Sequence, residues 1–132
     1  MNTKGSMKIL KDVEEVKELA ADLLQDESNM SGAWCSMAAW PETAADVQEF
    51  VNICRAEGAH LTVSGATTGI AGGALPEGGA VLSTTQLKGI RMLDGPVLRA
   101  GAGVTILEID DFLGSGGRGL FYPPDPTEDT AS

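Results

Sequence analysis

Apolar residues recur at helical spacing in three stretches of the chain, and each stretch opens with a capping pair. Val13, Val16, Leu19, Ala20 and Leu23 form one stripe behind Asp12 and Glu15. Val47, Phe50, Val51 and Cys54 form the inner face of a second, which Thr43 and Asp46 start and Gly58 ends. Ile106, Ile109, Phe112 and Leu113 form a third, begun by Thr105 with Glu108 and stopped by Gly114. Short β-prone runs lie between and after these: Ser36 to Trp40, His60 to Val63, Ala80 to Thr84 and Val97 to Ala100. The predicted order is helix, strand, helix, strand, glycine-rich loop, strand, strand, helix. A strand–helix–strand unit of this length predicts a parallel pair with a right-handed crossover, and so an α/β fold of short parallel strands flanked by helices.

The loop after His60–Val63 is the most unusual stretch. It runs from Ser64 to Pro76, and six of the chain's 17 glycines lie between Ser64 and Gly79. Small residues crowd it and its polar side chains are hydroxyls only, which lets backbone N–H groups turn inward as an anion nest. It also leaves the carboxyl end of a parallel strand, the edge where α/β sheets bind ligands. Two familiar phosphate loops do not fit. A nucleoside-triphosphate loop needs G-x-x-x-x-G-K-[ST], and no lysine lies between Arg55 and Lys88. The dinucleotide fingerprint opens a helix, whereas Gly72, Gly73 and Pro76 are poor helix material.

Composition narrows the setting. With 132 residues and 42 % hydrophobic content, the chain can build one modest core. A net charge of −10 and a pI near 4.3 oppose nucleic acid or an anionic membrane as partner. No apolar run is long enough to span a bilayer, and Met1–Lys11 lacks a signal core, so the expectation is a cytoplasmic protein. Cys35 and Cys54 have neither metal-ligand spacing nor the density of a disulfide framework, and the lone His60 has no fellow ligands, so no metal site is expected. The C-terminal stretch Phe121–Ser132 is extended and proline-punctuated, with nothing apolar after it. It reads either as a tail or as a functional element cut short.

Pro41-Glu42-Thr43 ahead of a capped helix, the Ser64–Pro76 loop, Leu87-Lys88-Gly89-Ile90, Ala100-Gly101-Ala102-Gly103 and Pro124-Asp125-Pro126-Thr127 follow one another in the order and spacing of a known pattern. Together they resemble the flavin-binding domain of the FAD-linked oxidase superfamily, the p-cresol methylhydroxylase and vanillyl-alcohol oxidase type. The likeness is greatest to the D subunit of glycolate oxidase and to FAD-dependent D-lactate dehydrogenases. It divides the chain into residues 1–35, an N-terminal segment with an acidic amphipathic helix, and residues 36–132, part of an FAD-binding domain.

The resemblance implies that Gly65, Ala66, Thr67, Thr68, Gly69 and Ile70, with Ser64 at the base, wrap the FAD pyrophosphate. It places Pro124, Asp125, Thr127 and Thr130 on the flavin and ribityl side. Relatives that tether FAD from this loop use a histidine where Thr68 stands, so FAD is expected to be non-covalent. Two loop positions depart from the family: Ser64 replaces an arginine, and Thr67 replaces a glycine where the backbone can need positive φ. The implied function is the FAD-binding part of a flavin-dependent oxidoreductase acting on a small 2-hydroxy acid. Catalytic groups are expected beyond Ser132, and the 132 residues alone are expected to be inactive, nearly colourless and prone to self-association or docking with a partner subunit. The alternative is a non-catalytic, degenerate nucleotide-binding or interaction module.

Overall fold

The computed structural model describes residues 7–116 and 119–123. Its centre is a four-stranded sheet of β1 (Lys8–Leu10), β2 (Met37–Trp40), β3 (Leu61–Ser64) and β4 (Ala80–Ser83), in the order β1-β2-β4-β3. β4 pairs in parallel with both β2 and β3, and β1 pairs antiparallel with β2 at the edge. The short helix α1 (Val13–Leu19) and a 3-10 turn (Ala21–Leu24) cover one face, where Val16, Ala20 and Leu23 pack on Ala38 and Val81. Helix α2 (Ala44–Glu57) covers the other, with Phe50 and Cys54 against Met37, Ala39, Ala80 and Leu82. A separate antiparallel ribbon, β5 (Ile90–Met92) and β6 (Leu98–Ala100), leads into α3 (Ile106–Ser115). Small residues in β2 and β4 let two helical layers approach a sheet buried on both faces.

The α/β class holds, and several sequence expectations need correction. β2 and β3 are parallel but do not pair, because β4 lies between them. All four residues of β4 are buried, whereas Val63 of β3 is 56 % exposed, so the uniformly buried strand takes the centre and the mixed one the edge. The first helix does not run through its whole stripe. It stops at Leu19, Ala20 leaves helical geometry with its N–H on the Val16 carbonyl, and a 3-10 turn carries Leu23 inward. Leu19, expected on the apolar face, is exposed, as is Val51 on the flank of α2. Gly114 does not stop α3, which continues to Ser115 and is capped by Gly116. The strands β1 and β5, three residues each, are too short to show a period in the sequence.

Two of the three capping pairs close as reciprocal boxes, whereas at α1 Asp12 Oδ1 accepts from the Glu14 and Glu15 N–H groups with no return bond from Glu15 among the described residues. Thr43 Oγ1 accepts from the Asp46 N–H at 3.2 Å, and the Asp46 carboxylate accepts from the Thr43 N–H at 2.9 Å. Thr105 and Glu108 repeat the box at α3. Cys35 and Cys54 are both buried and unpaired, on opposite faces of the sheet. Burial pushes both thiols up, and the Glu57 charge adds to this at Cys54, which leaves them poor nucleophiles.

Two outcomes follow from this packing. Phe50 is fully enclosed, so Phe50→Ala should cost about 3–5 kcal/mol in chemical denaturation, while Val51→Ala should cost about 1 kcal/mol or less. The Lys88 ammonium, 2.8 Å from Glu108, and the Thr105 N–H hold the Glu108 carboxyl below the usual glutamate range. A depressed carboxylate pKa stabilises above the unfolded-state value and loses that contribution as pH falls through the folded one. Amide protection factors at the start of α3, with exchange corrected for its intrinsic pH dependence, should therefore fall as pH drops through and below the ordinary glutamate range, and Glu108→Gln should flatten that dependence.

Candidate functional site

The loop between β3 and β4 joins parallel neighbours without a helix, and its two limbs differ. Ser64 ends β3 with its carbonyl accepting from the Thr84 N–H at 2.9 Å. From Gly65 to Ile70 no main-chain N–H donates a hydrogen bond among the described residues. Gly65 to Thr68 are half-buried, and Gly69 and Ile70 are exposed, with Ile70 at 79 %. The stretch from Ser64 to Gly73 is not helical. The returning limb, by contrast, is bonded: Leu75 N–H to the Gly72 carbonyl at 3.1 Å, Pro76 carbonyl to Trp34 N–H at 3.0 Å, and Gly78 N–H to the Trp34 carbonyl at 2.7 Å.

Two details bear on what the open limb can hold. Thr67 has φ of 59°, a left-handed conformation that is uncommon for a β-branched residue. It bends the limb where a glycine would do so without strain. The Ser64 hydroxyl is enclosed and has no hydrogen-bond partner among the described residues. The limb carries no acidic side chain between Ser64 and Pro76, so a run of unpartnered N–H groups meets nothing that repels an anion. These residues fit a diphosphate.

The structure brings Ser64, Gly65, Ala66, Thr67, Thr68, Gly69 and Ile70 together as one limb at the carboxyl edge of the parallel strands. Pro124, Asp125, Thr127 and Thr130 lie outside the described residues. Thr84 and Thr85 of the β4 exit share the edge, Thr85 Oγ1 lying 2.9 Å from Ser83 Oγ. Trp34 and Met30 pack on the returning limb, at Gly78 and Gly72. A cavity of about 540 Å³ lies elsewhere, between the start of α2 and the β5–β6 ribbon, where Arg91 and Arg99 face each other with Glu42 in the same wall.

Residues 35–132 match a family described as FAD binding domain. The chain is 33 % identical over 94 residues to a D-lactate dehydrogenase of Archaeoglobus fulgidus, covering 70 % of this chain and 21 % of that protein. It is 32 % identical to a D-lactate dehydrogenase of Anaerostipes hadrus, covering 91 % of this chain and 28 % of that one. A glycolate oxidase subunit of Bacillus subtilis is 30 % identical, with 66 % and 19 % covered. The chain therefore spans roughly a fifth to a quarter of the curated relatives it matches. Among solved structures, p-cresol methylhydroxylase with substrate bound superposes with a TM-score of 0.76 at 17 % identity, covering 94 % of this chain and 25 % of that one. Cholesterol oxidase from Brevibacterium sterolicum gives 0.70 at 21 % identity, covering 99 % and 24 %. These likenesses confirm the fold.

Left-handed backbone costs a residue with a Cβ roughly 1–2 kcal/mol, and glycine gives back about 0.5–1 kcal/mol of that through its freer unfolded chain. Thr67→Gly is therefore expected to raise stability by up to about 1 kcal/mol in chemical denaturation, and Thr67→Val to lower it.

Proposed function

Since this chain belongs to the FAD-binding domain family of oxidases and dehydrogenases, we propose that it holds the diphosphate of FAD in a flavoprotein that oxidises a small 2-hydroxy acid. The unpartnered N–H groups from Gly65 to Ile70 carry this reading. The fold sets their positions, and as main-chain donors without a partner among the described residues they call for an acceptor. Gly65, Ala66, Thr67, Thr68, Gly69 and Ile70 hold the phosphates through the main chain, and Pro124, Asp125, Thr127 and Thr130 line the flavin side. FAD, when bound, accepts the hydride equivalent from the substrate carbon. The residues of this chain bind and orient it; proton transfer and substrate recognition belong to other parts of the whole protein. The relatives named as D-lactate dehydrogenases and a glycolate oxidase subunit support the 2-hydroxy-acid class.

Thr68 has no imidazole to bond the flavin, so the cofactor is held non-covalently. The strained Thr67 and the enclosed Ser64 hydroxyl favour a second reading, a module that binds a smaller adenine nucleotide such as ADP and performs no redox step.

The chain is expected to carry little flavin as purified, so a titration with FAD added up to large excess, followed by flavin fluorescence, separates the two. Saturable FAD binding that ADP displaces only at higher concentration supports the flavoprotein, and ADP binding at least as tight as FAD supports the module. Acid treatment of the FAD-loaded protein is expected to release intact FAD into the supernatant. Flavin retained in the precipitate would sink the non-covalent assignment.

A further inference from the structure

The loop is half moored and half free, and the mooring is shared by the main chain of Trp34, the Trp34 ring, Met30 and Ser36. Trp34 meets the returning limb on both sides of Glu77, receiving Gly78 N–H on its carbonyl and donating its own N–H to Pro76. Its indole lies against Gly78, where a Cβ would come within 3.2 Å of the ring. Gly78 has φ of 104° and Gly79 φ of 64°, so the chain at that point has neither a side chain nor an ordinary backbone conformation to hold it in place. The ring occupies the space where a side chain at Gly78 would stand, beside the 2.7 Å bond. Met30 does the same one turn earlier, its sulfur filling the space over Gly72. Ser36 completes the mooring, its N–H and hydroxyl both donating to the Gly79 carbonyl at 2.8 and 2.9 Å.

Trp34 does not belong to either core cluster and is 48 % exposed. A large aromatic in that position contributes little to the core; its contacts are with the loop. We infer that Trp34 is a positioning residue for the cofactor loop: its ring fixes residues 72–79 so that only residues 65–71 must order when the diphosphate binds. This rests on the flavin reading given above. Ordering fewer residues at the moment of binding leaves more of the contact energy as affinity.

Trp34→Ala and Trp34→Phe keep both main-chain groups of residue 34, so these variants report on the ring. Three proteins are compared: the wild-type chain, Trp34→Ala and Trp34→Phe. FAD affinity should fall about tenfold in Trp34→Ala and stay within about twofold in Trp34→Phe. Amide exchange at Gly78 should rise about tenfold or more in Trp34→Ala, while Val81 and Leu82 in β4 keep their protection. ADP should shift the tryptophan emission of the wild-type chain, and that shift should vanish in Trp34→Phe although ADP still binds. Trp34→Ala that binds FAD within twofold of wild type overturns the positioning role, as does Trp34→Phe weakened as much as Trp34→Ala. A fall in melting temperature with unchanged affinity of the folded protein would assign the ring a structural role only. If the wild-type chain binds neither FAD nor ADP, the nucleotide reading fails first and the positioning role falls with it.

Discussion

A parallel ladder between Leu61–Ser64 and Ala80–Ser83 obliges the chain to travel back the length of the strands, roughly 13 Å at about 3.3 Å per residue, before it can pair. Most parallel neighbours meet that demand with a helix, which satisfies its own backbone on the way. Residues 65–79 meet it with open chain. The return is made possible at its last step by Gly79, whose positive φ places it where any Cβ would overlap the His60 carbonyl. That carbonyl then accepts the Ala80 N–H at 2.8 Å, and β4 begins in register. Without a residue lacking Cβ at this point, the central strand and both helical layers that rest on it lose their alignment.

An open connection leaves its backbone groups to be satisfied elsewhere. The returning limb finds partners in Trp34 and Ser36, whereas the outgoing limb finds none among the described residues. This division also resolves an electrostatic difficulty. A diphosphate bound as proposed would approach a chain of net charge −10, which repels it at distance. Physiological salt screens that field over about 8 Å, while N–H dipoles act at hydrogen-bond range. A neutral loop with unpartnered N–H groups would thus offer an anion short-range contacts that the net charge of the protein does not cancel, with no lysine or arginine in the loop.

Helices and their starts were legible because they are written locally. Thr43 with Asp46 and Thr105 with Glu108 announce themselves within four residues, and both boxes are formed. The glycine loop stood out as a candidate site for a similar reason: Ser64 to Pro76 concentrates small residues and glycines. What the sequence hid is non-local. Nothing in His60–Val63 or Ala80–Thr84 says which strand takes the centre, since that depends on β4 being buried along its whole length while Val63 is not. Trp34 was equally opaque, because its role is set by Gly78, distant in sequence and adjacent only after β4 has docked. The break at Ala20 follows from the need to turn Leu23 onto the sheet, a demand of packing that the apolar stripe cannot express.

The β5–β6 ribbon and α3 stand apart from this framework. No residue of α3 is buried, and Val97, Phe121 and Tyr122 surround an apolar hollow of about 530 Å³. The unit is attached to the sheet mainly where Gly101 and Gly103 run under the Leu87 and Thr84 carbonyls. With no buried residue in α3, opening of this appendage is expected at a lower free energy than unfolding of the sheet. A melting curve read from the core would pass over the opening of α3 altogether, and the protein would behave as two foldons sharing one hinge of glycines.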